Sequence, residues 1–85
     1  MSADIFHSDG VATQTLDVKG LKCPLPVLRA KKSLKALASG DVLEVLATDP
    51  SAVQDFQVFC ETTGDTLLEW GEADGVYSFR IEKSG

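Results

Sequence analysis

The residues best placed to do chemistry form the run Lys22-Cys23-Pro24-Leu25-Pro26. Proline biases the residue before it toward extended backbone and is favoured at the first position of a helix. We therefore expect Cys23 to be the N-cap of a helix, with Pro24 at the first helical position. The helix N-terminus and Lys22 both favour an anion there, so the sequence predicts a thiol pKa below that of a free cysteine.

The second proline refines this prediction. Pro26 has no N–H, which leaves the Leu25 N–H as the one cap donor for the sulfur. Lys19 adds positive charge, and no acidic residue lies between Val18 and Gly40. The pattern favours an exposed, reactive thiol supported by Lys22, Pro24 and Pro26. The alternative is an inert buried cysteine beside a helix that merely starts with proline.

No catalytic partner for Cys23 is visible in the sequence. The single histidine, His7, lies in a polar leader, and there is no nearby CxxC pair. A thiol without a general base is suited to exchange between sulfur atoms, which requires little else. Cys60 lies in an apolar helical stripe and is interpreted as a packing residue, with a secondary thiol as the alternative. Two cysteines and one histidine are too few for a four-ligand metal site, so neither a metal nor a cofactor is expected.

Length and charge restrict the class of protein. The 85 residues suit one small domain, expected over residues 13–85 behind a loose leader over residues 1–12. The net charge of −5 argues against nucleic acid as a partner. No segment reaches the roughly 20 apolar residues that span a membrane. The leader has no apolar signal region, so a cytoplasmic location is expected.

Hydrophobic periodicity predicts the order β-α-β-α-β-β. This order gives an α+β fold, a two-layer sandwich in which two helices pack on one face of a four-stranded mixed sheet. The second helix should begin with Asp49 as N-cap and end at Gly64. The predicted strands cover residues 15–18, 41–47, 66–71 and 76–82, and the predicted helices cover residues 24–38 and 50–63.

Alternation assigns the strand side chains to the two faces of the sheet. In the final hairpin, Leu68 and Trp70 are expected to face the helices together with Phe79. Val42, Leu46 and Leu67 are expected on the uncovered face.

The outer side of the first helix is a candidate docking surface. Helical spacing turns Arg29, Lys32 and Lys35 outward, with Leu25 and Leu28 among them. Exposed leucines surrounded by cations, close to a reactive sulfur, suit an acidic partner with an apolar centre. The alternative is a solvated, charged helix face.

Taken together, the motifs resemble the TusA family, also called SirA-like, of small sulfur-carrier proteins. The resemblance implies the βαβαββ fold and a persulfide on Cys23 that travels from a donor, such as a rhodanese or a cysteine desulfurase, to an acceptor protein. It covers most of the domain, through Leu16-Asp17, Gly20-Leu21-Lys22-Cys23-Pro24-Leu25-Pro26, Arg29-Ala30-Lys31-Lys32, Ala47-Thr48-Asp49-Pro50, Asp55-Phe56 and Thr63-Gly64.

The form Cys-Pro-Leu-Pro is similar to members linked to sulfur oxidation, whose acceptors are DsrE-like or heterodisulfide-reductase-like proteins. Members that serve tRNA thiolation or cofactor assembly share the same core. A regulatory or RNA-binding module of the same fold is the main alternative, although the acidic net charge counts against it. A thiol metallochaperone is poorly supported by one exposed cysteine.

Overall fold

The chain alternates strands and helices in the predicted order. A computed structural model describes residues 13–84, so the expected leader lies outside the described residues. The strands are β1 (Thr13–Asp17), β2 (Val42–Ala47), β3 (Thr66–Ala73) and β4 (Val76–Glu82), and the helices are α1 (Leu25–Lys35) and α2 (Ala52–Thr63).

The four strands form one mixed sheet in the order β1-β2-β4-β3. β1 and β2 are parallel, and β4 runs antiparallel to both β2 and β3. The buried sides of both helices join one core with residues of β2 and β4, so the predicted two-layer arrangement is confirmed. Its buried members are Val18, Ala30, Leu34, Leu43, Val45, Ala47, Ala52, Phe56, Cys60, Phe79 and Ile81.

Helix α1 is shorter at both ends than the predicted 24–38. It ends at Lys35 with Ala36 as C-cap, and the following residues turn toward β2. The Ala38 N–H donates to the Asp41 carboxylate at 3.0 Å, which holds this turn in place of a further helical bond. Helix α2 ends as predicted, because Gly64 adopts φ +86° and its N–H donates to the Cys60 carbonyl at 2.9 Å.

A bulge in β3 corrects the predicted faces of the final hairpin. The register of β3 against β4 shifts between Leu67 and Glu69, which leaves Leu68 48% exposed and lets Leu67 pack against the core. One extra residue in a strand reverses the faces of the residues on one side of it. Trp70 does lie opposite Phe79, with ring centroids 6.3 Å apart, but it stays partly exposed because β3 is an edge strand.

The uncovered face of the sheet is more polar than the sequence predicted. Val42 and Leu46 lie on it, but Val42 is buried. Their neighbours there include Glu44, which accepts a hydrogen bond from Thr15, and Arg80, which pairs with Glu69 at 3.5 Å.

Candidate functional site

The site forms where two loops leave neighbouring parallel strands. β1 and β2 end at the same edge of the sheet, so the loop from Val18 to Cys23 lies beside the end of β2 and the loop that follows it from Thr48. Two hydrogen bonds fasten the loops together: Val18 N–H donates to the Leu46 carbonyl at 2.8 Å, and Gly20 N–H donates to Thr48 Oγ1 at 2.9 Å. Ligand and reaction sites of open α/β sheets often lie outside the carboxyl ends of the strands.

Cys23 is exposed but is not the N-cap of α1, contrary to the prediction. The N-cap is Pro24, joined to Cys23 by a cis peptide bond, and Leu25 is the first helical residue. The Leu25 N–H donates to the Lys22 carbonyl at 2.8 Å, so it is engaged by backbone and not by the sulfur. Pro26, by contrast, is buried and anchors the first turn of α1 in the core.

Asp49 fixes the backbone of Cys23 from the neighbouring loop. Its Oδ2 accepts the Cys23 N–H at 2.7 Å, and its Oδ1 accepts the Ser51 N–H at 3.0 Å. These bonds lower the pKa of Asp49, the bond from Cys23 first. Ser51, not Asp49, is the N-cap of α2, so the predicted cap is wrong by two residues. One carboxylate therefore joins the start of α2 to the loop that carries Cys23.

Asp55 lies on the same groove as Cys23. It is in the first turn of α2, and both residues line this groove. Hydrogen bonding to Asp55 first, then partial desolvation and the negative charges of Asp55 and Asp49, raise the pKa of Cys23. The prediction of a lowered thiol pKa is therefore wrong, because folding brings two acids to a cysteine whose sequence neighbours are basic.

The predicted supporting lysines act on acids and not on the sulfur. Lys19 pairs with Asp17 at 3.7 Å between two exposed side chains, and Lys22 contributes to the lowered pKa of Asp49. Lys22 therefore supports the site indirectly, through the residue that holds the Cys23 backbone.

A shallow groove of about 460 Å³ runs from Cys23 between α1 and α2. Its α1 wall includes Leu28 and Lys31, and its α2 wall includes Val58 and Phe59. Leu28 and Val58 are 53% and 52% exposed, which leaves an apolar strip open to solvent. The predicted outward residues are all exposed, namely Leu25, Leu28, Arg29, Lys32 and Lys35.

Comparison with known proteins decides the family. A model of the family described as sulfurtransferase TusA matches residues 14–83. The chain belongs to the TusA family. A putative sulfur carrier protein of Neisseria meningitidis is 56% identical over 70 residues, covering 82% of this chain and 95% of the relative. The sulfur carrier protein TusA of Allochromatium vinosum is 55% identical over 71 residues, covering 84% of this chain and 93% of the relative.

A solved structure agrees with this membership of the TusA family. The crystal structure of the SirA-like protein from Desulfitobacterium hafniense superposes with a TM-score of 0.75 at 36% identity, covering 85% of this chain and 99% of that protein. Neither described helix of this TusA-family chain is long and apolar enough to cross a membrane.

Cys60 lies apart from the reactive loop of this TusA-family fold. It is 5% exposed on the inner side of α2, and it is the second of the two cysteines among residues 13–84. Desolvation raises the pKa of Cys60 to about 11, with a further contribution from Asp65. The predicted burial of Cys60 is confirmed, and a protonated thiol in that position packs as a small apolar side chain.

Sequence reasoning missed Asp49 and Asp55 as members of the site. Asp49 was interpreted only as a helix cap, although parallel pairing of β1 and β2 would place their following loops side by side. That pairing was the available signal for Asp49. Nothing in the local sequence around Asp55 indicated a contact with Cys23.

Proposed function

We propose that the protein is a sulfurtransferase that carries sulfane sulfur as a persulfide on Cys23, from a donor protein to an acceptor protein. The observation that carries this proposal is an exposed thiol whose backbone is fixed between two loops, with an apolar groove leading away from it. Membership of the TusA family and the similarity to relatives named sulfur carriers support it.

The proposed uptake step needs only the Cys23 sulfur and a donor persulfide. Cys23 Sγ attacks the outer sulfur of the donor persulfide and forms a new S–S bond, while the donor S–S bond breaks. The donor leaves as a thiolate and receives the proton that Cys23 gives up, so the step involves no net oxidation. Delivery is the same exchange in reverse, with an acceptor thiolate attacking the outer sulfur on Cys23.

The surroundings of Cys23 imply that its partners help to activate it. Asp55 raises the pKa of the thiol, so a small fraction of the free carrier is thiolate at neutral pH. A donor with a cationic or desolvating surface would alter this balance when it docks. Restricted reactivity in the free state suits a carrier that must avoid exchange with unrelated thiols.

Helix α1 supplies the proposed docking surface, formed by Leu25, Leu28, Arg29, Lys32 and Lys35. Among the described residues, neither Lys32 nor Lys35 makes an ion pair within the chain. Charges of one sign around exposed leucines steer an oppositely charged partner and orient it over the apolar centre. The proposed partner surface is therefore acidic at its rim.

The sequence Cys-Pro-Leu-Pro also supports a proposal about the pathway in which the protein transfers sulfur. The resemblance of Cys-Pro-Leu-Pro to members linked to sulfur oxidation favours cytoplasmic sulfur oxidation, with a rhodanese or cysteine desulfurase as donor and a DsrE-like or heterodisulfide-reductase-like protein as acceptor. Transfer to tRNA thiolation or cofactor assembly would use the same chemistry with another acceptor. The sulfur is a transient modification, and no bound cofactor is proposed.

Intact-mass measurement through one full cycle tests this function. Incubation with a thiosulfate-loaded rhodanese should add the mass of one sulfur atom to the protein, and a DsrE-like acceptor should then remove it. A reducing agent should also remove the added mass, as expected for a persulfide. No addition from either a protein or a small-molecule persulfide would contradict the proposal.

A further inference from the structure

The contact between Asp55 and Cys23 has a consequence for how tightly the carrier holds its sulfur. Cys23 has two chemical forms in this cycle, the empty thiol and the persulfide. A persulfide is more acidic than the corresponding thiol, so at neutral pH the loaded carrier bears negative charge more readily than the empty one. The negative charge of the neighbouring carboxylate therefore changes the free energies of the thiol and the persulfide by different amounts.

Asp55 lines the same groove as Cys23, and its negative charge favours the neutral thiol of the empty carrier over the thiolate. The same carboxylate repels an anionic outer sulfur, because two like charges at the mouth of one groove cost free energy.

We propose that Asp55 tunes the affinity of Cys23 for sulfur: it favours the empty protonated thiol, disfavours the anionic persulfide, and so biases the carrier toward delivery. This inference rests on the proposed sulfur-carrier function.

The other charged groups around Cys23 do not cancel this effect. Asp49 adds negative charge, but its two oxygens are occupied by backbone N–H groups of Cys23 and Ser51. Lys22 acts on Asp49, and Lys31 lies on the α1 wall of the groove. Asp55 raises the pKa of Cys23 more strongly than Asp49 does, and it lines the same groove as Cys23.

The equilibrium is measurable with glutathione persulfide and glutathione. One S–S bond breaks in glutathione persulfide and one forms on Cys23, with glutathione as the product, so sulfur, protons and electrons balance. The readout is the ratio of loaded to empty Cys23 by mass spectrometry, at a fixed ratio of the two glutathione species and at neutral pH. Equilibrium is confirmed by approaching it from both directions.

Asp55→Asn is the informative variant, because it keeps the shape and removes the charge. We expect its ratio of loaded to empty carrier to rise roughly tenfold at low salt, the equivalent of one pKa unit for a like charge near an exposed group. High salt should shrink the difference from wild type, since screening acts on the charge and not on the packing. Asp55→Glu, which restores a carboxylate, should lie between the two.

Glu61→Gln is the matched control. It removes one negative charge from the same helix at an exposed position that lies outside the groove leading to Cys23. Its loaded ratio should equal that of wild type. An equal rise in both variants would show an effect of net charge and would overturn the role of Asp55.

A second measurement reports on the empty thiol alone. Without Asp55 the midpoint of Cys23 alkylation by iodoacetamide should move down by about one pH unit. Alkylation at neutral pH should then be roughly threefold faster, because a tenfold gain in thiolate is offset by its lower nucleophilicity.

The outcomes separate the two proposals. If wild type loads but Asp55→Asn shows an unchanged or lower loaded ratio, the tuning role is wrong and the carrier function stands. If wild type does not load at any ratio of the glutathione species, the carrier function fails and the inference fails with it, whatever the alkylation midpoint shows.

Discussion

Cys23 and Cys60 carry the same side chain in two contrasting regions of the molecule. Cys23 lies on an exposed loop at the edge of the sheet, with its backbone held by Asp49 and with Asp55 on the same groove. Cys60 lies in the middle of α2, 5% exposed, with its pKa raised to about 11 chiefly by desolvation. Both thiols are protonated at neutral pH, but for different physical reasons.

The difference lies in what a partner can change. A docked protein can neutralise or displace the carboxylate beside Cys23, because Asp55 is only half-buried and lines an open groove. No docked protein can restore water to Cys60 without disturbing α2 and the core. A thiol pKa raised by a nearby carboxylate can therefore be lowered when a partner binds. A thiol pKa raised by burial stays raised as long as the protein is folded. A sulfur carrier needs the first kind.

The largest effect on sulfur transfer should come from replacing Cys23, and replacing Cys60 provides the comparison. Cys23→Ser should abolish sulfur transfer while the fold is retained, since the side chain is exposed and the bond from its N–H to Asp49 does not depend on the sulfur. Cys60→Ala should still transfer sulfur. The measurement is transfer from a thiosulfate-loaded rhodanese to an acceptor, with circular dichroism as the control for folding. Full transfer by the Cys23 variant would reverse the assignment.

Charge reversal on α1 should have the next largest effect. Lys32→Glu with Lys35→Glu should slow transfer to a protein acceptor roughly tenfold at low salt, because charge acts on the rate of encounter. Alkylation of Cys23 by a small neutral reagent should change little, since the sulfur itself is untouched.

Arg80→Glu provides the control for that prediction. Arg80 is an exposed cation on the uncovered face of the sheet, away from the helices. Its reversal should leave transfer near the wild-type rate. If the α1 double variant also transfers at the wild-type rate, and salt has no effect, then α1 is a solvated face and not a docking surface.

Replacing Asp49 should make the loop that carries Cys23 more flexible and leave the core strands unchanged. In Asp49→Ala the backbone N–H of Cys23 loses its acceptor, so its hydrogen exchange should accelerate severalfold while exchange in the core of β2 stays slow. Asp17→Ala is the matched control, because within residues 13–84 the side-chain contacts of Asp17 are with Lys19, the bond from its N–H and an ion pair at 3.7 Å.

Protonation of Asp49 at low pH should reduce the protection of the Cys23 amide, as Asp49→Ala does. The pKa of Asp49 is lowered in the folded state, so its contribution to stability is present above its unfolded pKa and disappears as pH falls through the folded value. Protection of the Cys23 amide that persists both in acid and in Asp49→Ala would contradict the bridging role.

The smallest effect concerns the stability that Cys60 contributes. Cys60→Ala should reduce the free energy of unfolding by about 1 kcal/mol, as expected for removing one small buried group. The folded pKa of about 11 lies above the unfolded one, so the contribution of the protonated thiol is complete below the unfolded value and is lost as pH rises toward 11. Urea unfolding between neutral pH and pH 11 measures this difference. Parallel pH profiles for wild type and Cys60→Ala would contradict the assigned desolvation.

The same contrast shows what sequence patterns can predict. The elements, their order and the buried stripe through Phe56 and Cys60 follow from periodicity, because neighbours along a helix or strand determine it. The exposure of Cys23 just before α1 followed from its prolines and its charged neighbours, although its predicted N-cap position is wrong. Its pKa did not, because Asp49 and Asp55 come from a distant segment and outweigh the lysines adjacent in sequence.

The bulge in β3 marks a second limit of sequence reasoning. Strict alternation assigns Leu68 to the core and Leu67 to the open face, and the structure has the reverse. A single unpaired residue changes the register without leaving a composition signal, since Leu67 and Leu68 are the same residue type. Pairing with β4, and not local propensity, decides which leucine packs against the core.

The central claim, that sulfur resides on Cys23, is tested most directly by peptide mapping of the loaded wild-type protein. Trypsin places Cys23 in a short peptide that ends at Arg29 and Cys60 in a long peptide that ends at Arg80. After incubation with a persulfide donor and alkylation, the added sulfur should be found on the Cys23 peptide alone and should vanish on reduction. Added sulfur on the Cys60 peptide, or on neither peptide, would contradict the account.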